Sequence, residues 1–270
     1  MFSLARIGVF SAGAFVCSVF ALEATSPGIE YRGKELKLKE LKLKELTIKG
    51  PRPANVSWRV LARHSVRIGL YDYPVAENLD IAARTLNETT FARGKKFSLN
   101  GALGPRVPER GYKKARAYGP AGKSVEEFGG GVCMVSTVLY NVFLKAGLGI
   151  LERHPHSRPV SYAPPGLDAA IYWKSMDLFA KNTLGVPVLL RMFRDGKTLT
   201  AELLVPVEWK QKEKIVIRRE VARAVIPGKH RDGFRVLTYR LYYLRGLLTR
   251  KEILAEDVFQ PIDHISKDEN

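Results

Sequence analysis

The stretch GGGVCMVSTVLYNVFLKAGL, Gly129 to Leu148, decides the reading of this chain. Val132, Val135, Val138, Leu139, Val142, Phe143 and Ala146 recur at steps of three and four, the spacing of a helix that buries one face. Lys145 and Gly147 supply its C-terminal stop. A second face, Cys133, Thr137 and Tyr140 with Ser136 alongside, is expected to look into a pocket. The three glycines ahead of the helix let another chain or a ligand approach the backbone. A thiol in a first helical turn meets the positive end of the dipole and unpaired N–H groups, and both favour thiolate. The plainer alternative is that Cys133 is a small buried apolar residue, as most free cysteines are.

Working outward from there, residues 1–21 read as a secretory signal peptide. Arg6 precedes an uncharged run from Ile7 to Leu22, and Val19 and Ala21 are the small pair before a cut. An uncleaved anchor competes, because the run is near the shortest length that spans a bilayer. Either reading exports the remainder. Cys17 belongs to this segment, so the mature body has one cysteine, Cys133, and no internal disulfide. A free thiol in an oxidising compartment favours a chemical role for it.

The 270 residues carry a formal charge of +17, and removing residues 1–21 takes away one positive charge, that of Arg6. For an exported protein that balance points to acidic envelope polymers and not to nucleic acid, with the membrane touched only through the N-terminal segment. Residues 22–53 form a low-complexity linker containing KELKL, KELKL and KELTI at 34–48. The main domain is expected over 54–205, followed by a β-rich extension over 206–270.

Within the domain, Val66, Ile68 and Leu70 alternate as in a strand over Ser65 to Tyr71. A helix follows at Leu79, Ala82, Ala83 and Leu86, with Asn78 as its N-cap. Phe97 to Tyr112, rich in Gly and Pro, reads as a strand end and a long functional loop. After the central helix the pattern predicts strands at 149–153, 157–163, 169–174, 178–181 and 186–193, with turns at Pro164–Gly166 and Asp195–Gly196. Residues 214–263 alternate again, as a small antiparallel sheet that forms its own subdomain. The fold class is therefore α+β, a central helix packed on antiparallel strands with a C-terminal β-rich extension.

A thiolate nucleophile needs a base and a group to orient it, and the candidates are His154, His156, Asp168 and Asp177. From Cys133 to Ala146 a helix climbs roughly 20 Å, and a strand from Ile150 to His156 returns roughly 20 Å, so His156 comes level with the thiol. A hairpin turning at Pro164–Gly166, with Ala163 opposite Leu167, sets His156 facing Lys174. Asp177 is then the expected orienter, and Asp168, at the turn, a capping residue. Pro155 and Pro159 can bend this path. A zinc site from His154, His156, Cys133 and an aspartate ranks lower, because no second cysteine or His-x-x-x-His pattern accompanies it. No cofactor and no metal are expected.

The segments FSLNGALG (97–104), GY (111–112), GGGVCMVSTVLYN (129–141), AGL (146–148), ERHPHSRPVSY (152–162), PGLDA (165–169) and DLFAKN (177–182) resemble the VanW family. The resemblance runs from about Asn78 to Leu204. It implies a domain named after an accessory protein of vancomycin-resistance clusters, common in bacterial surface proteins and without a settled activity. Cys133, Ser136, Thr137, Tyr140, Glu152, His156, Asp168 and Asp177 match the motif, while Met134 stands where the family has Gln. If that Gln is an oxyanion donor, Met134 cannot replace it. The order of cysteine, histidine and aspartate is also similar to that of transglutaminase-like and papain-like thiol enzymes. The expected function is a thiol hydrolase or acyl transferase of the cell envelope using Cys133, His156 and Asp177. The alternative is a module that binds wall peptide, glycan or anionic polymer without reacting.

Overall fold

The computed structural model describes residues 55–69, 73–118, 124–224 and 233–260. The signal-peptide reading, the KEL repeats and Leu70 lie outside them. In chain order the first half comprises β1 (Trp58–Arg67), α1 (Tyr73–Leu86), β2 (Thr89–Phe91), β3 (Lys96–Ser98), α2 (Leu99–Leu103), β4 (Lys114–Tyr118), β5 (Ser124–Phe128) and α3 (Cys133–Ala146). The second half comprises β6 (Gly149–Glu152), β7 (Phe179–Lys181), β8 (Val188–Asp195), β9 (Thr198–Pro206), β10 (Lys214–Ala224), β11 (Gly233–Leu244) and β12 (Leu247–Phe259). The fold is α+β, with antiparallel sheets and a β-rich C-terminal part.

Helix α3 is the axis. Every residue from Val135 to Leu144 is buried, polar ones included, so the helix is enclosed on all sides and not only along one stripe. One side packs on β1 and β9 of the four-stranded sheet β1-β9-β8-β2, whose β8 also carries α1. Another side meets Phe91 and Phe97, with Phe143 of the helix 6.3 and 5.6 Å from their ring centres. Such aromatic pairs add about 0.5–1.5 kcal/mol each beyond the area they bury. Gly147 ends the helix at φ 86°, and its N–H returns to the carbonyls of Phe143 and Leu144.

Three expected features differ. Asn78 is inside α1, not at its start, and is fully buried: its Nδ2 donates to the carbonyls of Lys113 and Gly130, and its Oδ1 accepts from Lys113 N–H. It ties α1 to the approach to α3, a long-range role that propensity cannot reveal. The first strand begins at Trp58, earlier than its alternation suggests. Strands at 157–163 and 169–174 do not form; isolated bridges His154 to Ala170 and Tyr172 to Met176 stand in their place. Proline at 155, 159, 164 and 165 removes the donors that a continuous ladder needs.

The sheet β10-β11-β12 docks on the Pro164–Asp168 turn. The carbonyl of Gly166, a residue at φ +88°, accepts from Thr238 Oγ1 at 3.3 Å, and an added Cβ there would stand 2.5 Å from that hydroxyl oxygen. Arg219 Nη1 donates to the Pro165 carbonyl at 3.0 Å. The last sheet thus supports the loop that delivers Asp168.

Candidate thiol site

The glycine run is explained by the chain itself. A Cβ on Gly130 would stand 2.3 Å from the Ala115 carbonyl oxygen of β4, and one on Gly131 2.6 Å from Val75 of α1. The groups that approach these glycines closely, a backbone carbonyl and a valine side chain, are therefore the protein's own. This packing sets Cys133 as the first residue of α3, partly exposed at the positive end of the dipole.

Below it, the polar stripe of the helix is matched to an antiparallel segment. Cys133 Sγ lies 3.6 Å from the Ile171 carbonyl, Thr137 Oγ1 accepts from Ala169 N–H at 3.0 Å, and Asn141 Nδ2 donates to the Leu167 carbonyl at 2.6 Å. Four helical residues rise about 6 Å and two extended residues span about 6.6 Å, so the steps stay in register. Thr137 and Tyr140 accordingly face packed backbone and side chains, not a pocket as expected. The Arg153 guanidinium covers the Tyr140 ring at 5.3 Å.

The same segment places Asp168. The bridge from His154 to Ala170 sets residue 156 opposite residue 168, three residues away from the expected register on each side. Asp168 Oδ2 accepts from His156 N–H and from His156 Nδ1, both at 2.8 Å, and Oδ1 accepts from Arg153 Nη2 at 3.0 Å. Arg153 Nη1 reaches Asp257 of β12 at 2.5 Å. All three charged groups are at most 5% exposed, so each needs the others.

Asp177, the expected orienter, is placed elsewhere. It accepts from Ser98 Oγ and, at 2.8 Å, from Asn100 N–H at the start of α2, while its own N–H donates to Glu152 at 2.9 Å. The register shift is the reason: the segment after Gly166 folds back at Lys174, which has φ 69°, and carries Asp177 toward β3. His154 pairs with Glu152 at 3.0 Å, at the surface.

Burial opposes charge at every member of the cluster. It would lower His156, but the Asp168 bond and Cys133 outweigh it and raise the imidazole to about 9. Burial would raise the Cys133 thiol, yet the hydrogen bond and charge of His156, with Arg106, bring it below its ordinary value. Asp168 is likewise lowered overall, burial being outweighed by His156 and Arg153. The result is a pair biased toward thiolate and imidazolium. Tyr162, which sequence reasoning left inside a motif without a role, brings its hydroxyl 3.2 Å from His156 Nε2. A cavity of about 600 Å³ opens over the thiol, with Arg106, Met134, His156, Tyr162 and Trp173 among its lining.

Fold and site define an α+β protein built round a cysteine–histidine–aspartate constellation. Residues 75–204 match the VanW family, described as VanW like protein, and over that span the chain is similar to it. It is 31% identical over 150 residues to the uncharacterized protein YoaR of Bacillus subtilis (strain 168), covering 56% of this chain and 49% of that one. It is 33% identical over 110 residues to the vancomycin B-type resistance protein VanW of Enterococcus faecalis (strain ATCC 700802 / V583), covering 39% of this chain and 40% of that one. The chain thus spans about half, or less, of these relatives. No solved structure matches it. Among the described residues, no helix is long and apolar enough to cross a membrane.

Proposed function

We propose that this is an exported cell-envelope protein whose Cys133, His156 and Asp168 act as a thiol hydrolase or acyl transferase on peptide or amide bonds of wall material. The supporting observation is a buried carboxylate that holds one edge of an imidazole, while that imidazole acts on a thiol open to a cavity. The Cys133 thiolate attacks the carbonyl carbon, forming a C–S bond as the carbonyl electrons move to oxygen. The Cys133 N–H receives that oxyanion, the next two N–H groups being bonded to the Gly131 and Val132 carbonyls. As the intermediate collapses the C–N bond breaks, and the amine leaves with a proton from His156. Water, or an acceptor amine, then gives its proton to His156, attacks the thioester and releases the thiolate.

The leader, Arg6 followed by an uncharged run, and the charge of +17 support the envelope location. The vancomycin-resistance association carried by the name of the Enterococcus faecalis relative belongs to the same proposal. One feature favours the non-catalytic alternative: Met134, at the cavity beside the thiol, has no side-chain donor for an oxyanion. Two measurements separate the readings. Iodoacetamide at neutral pH should label native Cys133 faster than the denatured chain, and wall peptides should leave an acyl mass adduct on Cys133 that Cys133→Ala lacks. Labelling no faster than in the denatured chain, with no adduct, would sink the thiol-enzyme reading and leave the binding module.

A further inference from the structure

The Pro- and Gly-rich loop after β3, singled out in the sequence as functional, contributes Arg106 to the wall of the thiol cavity. Its guanidinium is held by neutral groups: Nη1 donates to Asn100 Oδ1 at 2.8 Å and to the Gly104 carbonyl at 2.9 Å, and the Trp173 ring lies 5.4 Å from Cζ. Among the described residues no carboxylate is paired with it. Arg153, by contrast, has two such partners, Asp168 and Asp257. A second positive charge is close by: Arg110 stands over Gly104, where a Cβ would meet its Nη1 at 2.2 Å. Burial, with the repulsion of Arg110, lowers the Arg106 pKa although Tyr112, Cys133 and Asp177 favour its charge.

The chain also makes room for this side chain. Gly129 has φ +79°, and a Cβ there would stand 2.6 Å from Arg106 Cβ and Cγ. The glycine that opens the thiol motif therefore positions the arginine as well as the helix. A planar fork with donors free toward a cavity is the geometry that receives a carboxylate in two parallel hydrogen bonds. The lining also includes Arg116 of β4 and Glu127 of β5. The one planar fork of Arg106 matches a carboxylate, whose two oxygens accept in parallel, better than a dianionic phosphate.

We propose that Arg106 is the anion anchor of the Cys133 cavity, and that the substrate carries a carboxylate within about one residue of the bond the thiol attacks. This rests on the thiol-enzyme reading and names its substrate class: acyl compounds or short peptides with a free carboxylate beside the reacting carbonyl.

The test uses two alkylating reagents that differ in charge. Iodoacetate places a carboxylate next to the reacting carbon, and iodoacetamide is its neutral counterpart. The ratio of their rates at Cys133, normalised to that of 2-mercaptoethanol, is independent of how much thiolate is present. The wild-type ratio is expected to fall roughly three- to tenfold in Arg106→Gln and to be largely kept in Arg106→Lys. An unchanged ratio in Arg106→Gln overturns the anchor. On the wild type alone, N-acetylglycine should slow iodoacetamide labelling more than N-acetylglycinamide or inorganic phosphate does. Equal effects of acid and amide overturn the anchor too, and stronger protection by phosphate overturns the carboxylate assignment. Fast iodoacetamide labelling with no preference for iodoacetate refutes the anchor alone. Slow labelling by both reagents refutes the nucleophile beneath it.

Discussion

One histidine stands against each end of helix α3, and the two behave oppositely. At the start, His156 Nδ1 faces the Asp168 carboxylate at 2.8 Å, so Nδ1 must donate and the ring gains by being charged. At the end, His64 Nδ1 faces Lys145 Nζ at 2.9 Å, so Nδ1 must accept and the ring gains by being neutral. Burial lowers both rings. Asp168 and Cys133 overturn it at His156, raising it to about 9. At His64 nothing overturns it, and Lys145 adds to it, giving about 4. The lesson is that helix position and burial do not decide whether an imidazole is charged here; the groups that face its nitrogens do.

The strongest way to break the comparison is Asp168→Asn. His156 then loses its charge partner, Cys133 loses the imidazolium, and alkylation at pH 7 is expected to drop about tenfold or more. Arg153 keeps Asp257 but loses Asp168, so urea unfolding should show a loss of about 3 kcal/mol, the lower end for a broken buried pair. A rate equal to wild type would show that the carboxylate does not set the thiol.

Next comes the pH dependence of stability, where the two histidines should act with opposite sign. His156 is raised from 6.5 to about 9 in the fold, so its contribution is complete below pH 6.5 and is lost as pH rises through about 9. His64 is lowered from 6.5 to about 4, so its contribution is present above pH 6.5 and is lost as pH falls through about 4. Thermal unfolding between pH 4 and about 9 checks both. His156→Gln should flatten the alkaline limb only, and His64→Gln the acid limb only.

Asp257→Asn asks how far the C-terminal sheet reaches into the thiol end. Asp257 touches neither His156 nor Cys133; it holds Arg153, which holds Asp168. The expected result is a few-fold slower alkylation and a rate-against-pH midpoint moved upward, with a smaller effect than Asp168→Asn. Loss of stability with an unmoved midpoint would make Asp257 structural alone.

What the sequence showed and hid follows from the range of the interactions. Helix α3 and its Gly147 stop were legible, because a dense three-and-four repeat and a left-handed glycine are local signals. The length comparison set His156 level with Cys133, and both line one cavity. The orienting aspartate was not legible, since Asp168 and Asp177 are separated by the register of one turn, and the docking of Gly166 on Thr238 from a distant sheet fixes that register. Arg153 was invisible for the same reason: its second partner is 104 residues away. Arg106 sat in a loop recognised as functional, but its lack of a carboxylate partner is a property of the folded cavity.

The smallest expected effect is at the far end. Burial is the larger cause of the low His64 value and Lys145 the smaller, so Lys145→Met, which keeps an apolar stem, should remove only the smaller part. Proton NMR of the His64 ring should then give a midpoint moved up from about 4 but still short of 6.5. A full return to 6.5 would mean that charge, not burial, holds His64 neutral. The same variant should leave the Cys133 alkylation profile unmoved, because the helix separates the two ends by roughly 20 Å, beyond the screening length of physiological salt. A shifted Cys133 midpoint in Lys145→Met would show that the ends are coupled through the helix, and the contrast between its two histidines would then be one system and not two.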